Sequence, residues 1–147
     1  IGVRKGNPSG LGDLMSLCGR RVAAPVGTVF ETTAKKASAA CVAAGKTDLS
    51  LLSLTGTTTC ALALSQDRAD AIIVSTPTSV ALIQATPDAF EAAGAPFDNA
   101  TKVGIGVSKD NSGLEAGLRK AMADIVADGS YAKLLEHWKL PPASSAF

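Results

Sequence analysis

The run Arg21-Val22-Ala23-Ala24-Pro25-Val26-Gly27-Thr28-Val29-Phe30-Glu31 decides how the rest of the chain is read. Val22 to Val26 is a short apolar run, the mark of a buried strand. Gly27 permits a turn that a side chain would obstruct. Thr28 fits an N-cap, its hydroxyl accepting from a first-turn N–H, and Glu31 fits the return arm of a capping box that reaches the N-cap amide. A helix N-terminus therefore sits at the carboxyl end of a strand. Its free N–H groups and the positive end of its dipole suit an anion such as a carboxylate. The same residues also make a well-capped strand–helix junction with no ligand, and both readings stand at this point.

Outward from this run, the pattern alternates. Residues 1–5 read as the end of a strand, 6–10 as a turn-rich connector and 11–17 as a short helix ended by Gly19. A long alanine-rich helix is expected over 29–44 with Gly45 as its C-cap. A strand at 49–54, a helix to about Gln66 and a buried strand at 71–74 follow. Thr76-Pro77 reads as N-cap and first helical residue, and Pro87 stops that helix. Residues 88–94 read as irregular or a short helical turn, 96–100 as loop and 103–107 as a strand. Ser112 and Glu115 open a helix over 112–127 as a second capping box. Tyr131, Leu134, Leu135 and Trp138 recur at helical spacing in a last helix, and 141–147 read as a loose tail. Strands alternating with helices predict an α/β fold with a mostly parallel sheet flanked by helices. Such sheets bind ligands at the carboxyl ends of their strands.

Composition narrows the function classes. The 147 residues suffice for one full core, and with 46% hydrophobic but only 4% aromatic residues that core is built from Ala, Val, Leu and Ile. A formal net charge of +1 gives no electrostatic argument for nucleic acid or an anionic membrane. No apolar run approaches the roughly 18 residues that span a bilayer. The chain opens at Ile1, without methionine and without a basic-then-apolar signal segment, in what reads as mid-strand, which suggests processing or a cut.

Catalytic and metal signatures are sparse. Cys18, Cys41 and Cys60 show no metal-ligand spacing, and His137 is the single histidine. The cysteines read either as buried small hydrophobes or as one disulfide with a thiol left over. Cys18 precedes the first strand of the quoted run and Cys41 lies late on the helix that returns toward it, so Cys18–Cys41 is the plausible pair and Cys60 the free thiol. Gly45-Lys46-Thr47 ends like a phosphate loop, but Ala40 stands where the first glycine belongs. Gly104-Ile105-Gly106 lacks the third glycine of a dinucleotide fingerprint. Asn99-Ala100-Thr101 fits a glycosylation acceptor, relevant only in a eukaryotic secretory pathway.

The ordered pieces Leu17-Cys18-Gly19-Arg20-Arg21-Val22-Ala23, Gly27-Thr28, Ala63-Leu64-Ser65-Gln66-Asp67-Arg68-Ala69-Asp70-Ala71, Val103-Gly104-Ile105-Gly106-Val107-Ser108-Lys109-Asp110-Asn111, Asp128-Gly129-Ser130-Tyr131 and Leu134-Leu135-Glu136-His137-Trp138-Lys139-Leu140 resemble the solute-binding proteins of ABC importers, in the family that binds polar amino acids. The resemblance implies a periplasmic-binding-protein fold, two α/β lobes joined by crossover strands, with the ligand in the cleft between them. On that basis residues 1–20 are a crossover end and linker, 21–101 the second lobe, 102–140 the return crossover and C-terminal helices of the first lobe, and 141–147 the tail. The front of the first lobe, which carries the family's carboxylate-clamping arginine and aromatic wall, has no counterpart. Exposed apolar surface over 112–138, and hence self-association or a swapped arrangement, is expected, with light scattering as the check.

Carried over residue by residue, Gly27, Thr28 and Val29 match the loop that meets the ligand carboxylate. The acid that binds the ligand ammonium falls at Ser75, a departure: a hydroxyl accepts a hydrogen bond but brings no charge. The resemblance thus implies a ligand without a free α-ammonium, an altered pose, or an acid supplied elsewhere. It also favours the Cys18–Cys41 disulfide, since some relatives carry cysteines at matching places. It implies no catalytic residue, cofactor or metal. The partners implied are a small amino-acid-like ligand and a membrane permease. The implied location is outside the cytoplasm of a bacterium, periplasmic or as a lipoprotein on the outer face of the cytoplasmic membrane. Two alternatives share the fold: a dehydratase acting on prephenate-like acids, with Asp67 or Glu31 as the acids available, and the ligand-binding domain of a sensor.

Overall fold

The computed structural model describes residues 1–97 and 104–140, which divide into compact units at Pro96 and Phe97. The first unit holds β1 (Gly2–Arg4), β2 (Arg21–Pro25), α1 (Val29–Ala43), β3 (Ser50–Leu54), α2 (Thr57–Ser65), β4 (Ala71–Ile72), α3 (Thr76–Ala85) and β5 (Phe90–Ala92). They form a five-stranded sheet in the order β3-β2-β4-β1-β5. β2 runs parallel to β3 and β4, while β1 runs antiparallel to both its neighbours. α1 carries the chain outward from β2 to β3 and α2 carries it back past β2 to β4. With right-handed crossovers, that reversal puts α1 and α2 on opposite faces of the sheet.

The face under α2 has its own core. Ala23, Cys60, Ala61, Ala63, Leu64, Ala69, Ile72 and Phe90 pack together, with Leu52, Leu54, Val74, Leu82 and Ile83 at its margin. Side chains alternate along a strand, so Val22 and Ala24, both fully buried, face the α1 side. α1 meets them with Ala34, Ala37 and Cys41, a stripe at helical spacing. Cys18 and Cys41 form a disulfide, and Cys60 is a free, buried thiol.

Several local expectations change in the structure. The helix expected over 11–17 is a 3-10 turn, Leu14–Leu17, whose Asp13 carboxylate accepts from Ser16 N at 2.7 Å. Residues 88–94 contain strand β5, held to β1 by the register Gly2↔Ala92, Val3↔Glu91 and Arg4↔Phe90. The N-cap of α3 is Ser75 rather than Thr76, with its side chain accepting from Thr78 N at 3.2 Å. Ala44 is the C-cap of α1, and Gly45 follows it with φ +70°, donating to Val42 O at 3.0 Å.

In the second unit, α4 (Ser112–Ala127) and α5 (Ser130–His137) are joined at Gly129, φ +78°. Asn111, not Ser112, caps α4 by accepting from Leu114 N at 3.1 Å, and Glu115 instead pairs with Arg119 one turn on at 2.8 Å. Residues 104–107 form no strand, and Ile105 is 64% exposed. Strand geometry needs a neighbouring ladder, and no partner lies among the described residues. Val103, the glycosylation triplet at 99–101 and the tail at 141–147 lie outside the described residues.

Candidate functional site

The carboxyl edge of the sheet collects the residues singled out in the sequence. β2 leads into Gly27 and α1, and β4 leads into Ser75 and α3. The β2–β4 register pairs Ala23 with Ile72, and Ile73 N donates to Ala23 O at 3.1 Å. Continued two residues, it puts Val74 level with Pro25, so Ser75 leaves its strand beside the one that leads to Gly27. Adjacent strands lie about 4.8 Å apart. β3 ends at the same edge, with Leu54 opposite Pro25 and α2 starting just beyond.

The Gly27 turn is closely specified. Gly27 has φ +73°, and a Cβ there would meet nothing within 4 Å, so the backbone angle alone calls for glycine. Thr28 Oγ1 donates to Pro25 O at 2.6 Å and accepts from Glu31 N at 3.4 Å, fixing the N-cap. Glu31 does not return to the Thr28 amide as a capping box would. Its Oε2 accepts from Gly27 N at 2.9 Å, while Oε1 accepts from Ser53 Oγ at 2.7 Å and pairs with Lys35 at 3.0 Å. The Ser53 hydroxyl, then the Gly27 amide, then Lys35 hold the Glu31 carboxyl down at about 2. The Gly27 N–H and the Thr28 hydroxyl are thereby committed inside the protein. The first-turn N–H groups of Val29 and Phe30 have no carbonyl within the helix to bond. Val26 and Val29 flank them, 54% and 53% exposed.

Across β4, Ser75 is half-buried and its hydroxyl lies 2.7 Å from Thr78 Oγ1. The edge therefore offers backbone donors, hydroxyls and two exposed valines, with Glu31 as a carboxylate already in use.

The opposite edge carries a polar clasp that local sequence patterns do not signal. Arg21 grips Asp70 in a bidentate pair, Nη2–Oδ1 at 2.6 Å and Nε–Oδ2 at 3.1 Å. Asp70 Oδ2 also accepts from Arg21 N at 2.9 Å. Asp67, at φ +57° just past α2, receives Arg4 at 2.6 Å and Arg21 at 3.1 Å, and its carbonyl accepts from Arg21 Nη1. These contacts hold both carboxyls below the ordinary aspartate range, Asp67 chiefly through Arg4 and Asp70 chiefly through Arg21. The clasp ties the starts of β2 and β4 to the end of β1.

This bears on the dehydratase alternative. A general acid must hold a proton near the working pH. Glu31 and Asp67 are both ionised there, and Asp67 lies at the wrong edge. Among the described residues no three His, Cys, Asp or Glu side chains gather as metal ligands would, and no helix is long and apolar enough to cross a membrane.

An α/β lobe of this order, with strand β1 reversed within the sheet, is a periplasmic-binding-protein lobe, and solved structures of amino-acid-binding proteins share it. An ancestral arginine-binding protein matches with a TM-score of 0.73 at 28% identity in its arginine-bound form, over 93% of this chain and 57% of its own. The same name recurs in a glutamine-bound form at 27% identity. AbpA, an amino acid ABC transporter substrate-binding protein of Streptococcus pneumoniae bound to L-arginine, matches with a TM-score of 0.76 at 23% identity over 97% of this chain and 56% of its own. The isolated domain 2 of the T. maritima arginine-binding protein matches 65% of this chain and 92% of its own, at 21% identity and a TM-score of 0.52. The chain thus spans little more than half the length of the full-length proteins it matches. No family model and no curated protein matches the sequence.

Proposed function

We propose that this chain belongs to the extracytoplasmic solute-binding component of an ABC importer and contributes the second lobe, about residues 21–101, to a ligand cleft. Residues 102–140 then supply the return crossover and the C-terminal helices of the first lobe. The observation that carries the reading is the match over 93% of the chain to an arginine-binding protein at 28% identity. The domain 2 that matches 65% of this chain is itself covered to 92%, which supports one whole lobe within the chain.

In this reading a ligand carboxylate is received by the Val29 and Phe30 amides at the start of α1, over a turn set by Gly27 and Thr28. Ser75 faces the rest of the ligand across β4 and supplies no charge. The ligand is a small, polar, amino-acid-like acid whose ammonium, if present, is bound by other residues. A permease in the membrane is the partner. The Cys18–Cys41 disulfide supports an oxidising compartment outside the cytoplasm. The exposed apolar side chains Leu114 of α4, Leu134 of α5 and Trp138 just past α5 form the face that the rest of the first lobe covers, and a chain without that part self-associates there.

A thermal-shift screen against L-arginine, L-glutamine, betaines, organic acids and small sugars tests the proposal. A ligand that binds only the folded state adds about 2.7 kcal/mol of stability at a hundredfold excess over its Kd. A rise with carboxylate ligands and none with sugars is expected. No rise with any carboxylate, at concentrations that saturate a millimolar site, would refute it.

A further inference from the structure

Helix α1 buries only small side chains of its own against the sheet. Of its 15 residues, only Ala34, Ala37 and Cys41 are buried. α2, on the other face, buries Cys60, Ala61, Ala63 and Leu64 in a cluster with Ile72 and Phe90, and no residue of α1 is among the members. Two further ties hold α1. At its start, Glu31 Oε1 accepts from Ser53 Oγ of β3. Near its end, the Cys18–Cys41 bond joins it to the segment ahead of β2 across 23 positions of sequence. The covalent tie thus runs through Cys41, one of the three side chains that α1 buries.

We propose that the Cys18–Cys41 bond is a redox-operated dock for α1. Oxidised, it holds the helix against the sheet; reduced, it releases the helix while the α2 face of the sheet stays folded. The co-reactant is a dithiol. Its thiolate attacks Sγ of Cys18, the half-buried partner, and the S–S bond breaks toward Cys41, whose thiolate departs and takes up a proton. The second thiol of the reductant then attacks the mixed disulfide. Cys18 is freed as a thiol, the reductant leaves as a cyclic disulfide, and two electrons have passed to the protein. Val29 opens α1, so release would also dissolve the first turn. That consequence rests on the ligand-site reading, whereas the release does not.

Hydrogen–deuterium exchange followed by mass spectrometry on the 147-residue chain provides the test. Three samples are compared: oxidised protein, protein treated with dithiothreitol, and a Cys18→Ala/Cys41→Ala variant that needs no reductant. Exchange over residues 29–43 should accelerate by about three hundredfold in the latter two, the scale set by freeing a loop of this length. Exchange over 57–65 and 71–73 should stay within about threefold of the oxidised protein, because a foldon that keeps its contacts keeps its protection. Equal acceleration in both helices, complete unfolding included, would make α1 part of one cooperative unit and overturn the proposal. Unchanged exchange over 29–43 would show that noncovalent contacts suffice, and would overturn it as well.

Discussion

Ser75 separates a structural role from a ligand-directed one, and replacing it with aspartate tests both together. In the present structure its hydroxyl oxygen accepts from Thr78 N at 3.2 Å and lies 2.7 Å from Thr78 Oγ1, so its capacity is largely used as the cap of α3. An aspartate caps a helix as well as serine does. Its second oxygen remains free, and its charge sits at the favourable end of the helix dipole, a gain of about 0.3–1 kcal/mol. Ser75→Asp should therefore leave stability unchanged or slightly raised, while Ser75→Ala should lose about 1 kcal/mol with the cap. Toward a ligand ammonium, a charged acceptor replaces a neutral one. Hydrogen bonds to charged groups exceed neutral ones by about 1–1.5 kcal/mol, a factor of roughly ten in Kd. Isothermal titration with L-arginine and L-glutamine, alongside urea unfolding followed by far-ultraviolet circular dichroism, reads both effects. A stable Ser75→Asp protein with unchanged affinity for every α-amino acid would remove Ser75 from the site. A variant destabilised by more than the Ser75→Ala protein would refute the capping argument.

Two glycines with the same backbone angle should respond differently to alanine. At Gly27, φ +73° with nothing within 4 Å of a Cβ, the loss should be the left-handed strain alone, about 1–2 kcal/mol; at Gly94, φ +70°, the Cβ would stand 1.7 Å from Gly12 O, and the added backbone clash should bring the loss to about 3–5 kcal/mol, measured by urea unfolding. Equal losses would contradict the packing of residue 12 against residue 94. Glu31, held at about 2 against an ordinary 4.5, binds protons more readily when unfolded, so its stabilising effect is complete above about pH 5 and disappears as pH falls through 2. Glu31→Gln should accordingly flatten the acid limb of the stability–pH profile, and a limb as steep as in the unmodified protein would count against the Ser53, Gly27 and Lys35 contacts.

What was legible in the sequence was local. The apolar run of β2, the glycine and the threonine cap lie within a few residues, and each acts on its neighbours, so strand, turn and helix followed directly. α4 was legible because sixteen residues of amphipathic pattern over-determine it, though its cap, Asn111 rather than Ser112, was not. β5 was not, since three residues carry no period and become a strand only through β1. The α3 cap was ambiguous because Ser75 and Thr76 both suit the position ahead of Pro77, and the choice depends on where the chain leaves β4. Glu31 showed its capping chemistry but not its partner, which depends on the shape of the Gly27 turn and on Ser53, 22 positions away. The Arg4, Arg21, Asp67 and Asp70 clasp joins residues 46 to 63 positions apart, and no local spacing records it.

The reversed direction of β1 has a mechanical consequence. Because Gly2 lies opposite both Ile72 and Ala92, and Ala93 N donates to Ile1 O at 2.9 Å, the thread that begins β1 and the thread that leaves β5 lie side by side. Both threads pass at the edge where β2 and β4 end, the edge of Gly27 and Ser75. The disulfide and the arginine–aspartate clasp fasten the opposite edge. A pull on either thread is therefore delivered to the rim of the candidate site, with the fastened edge as its fulcrum.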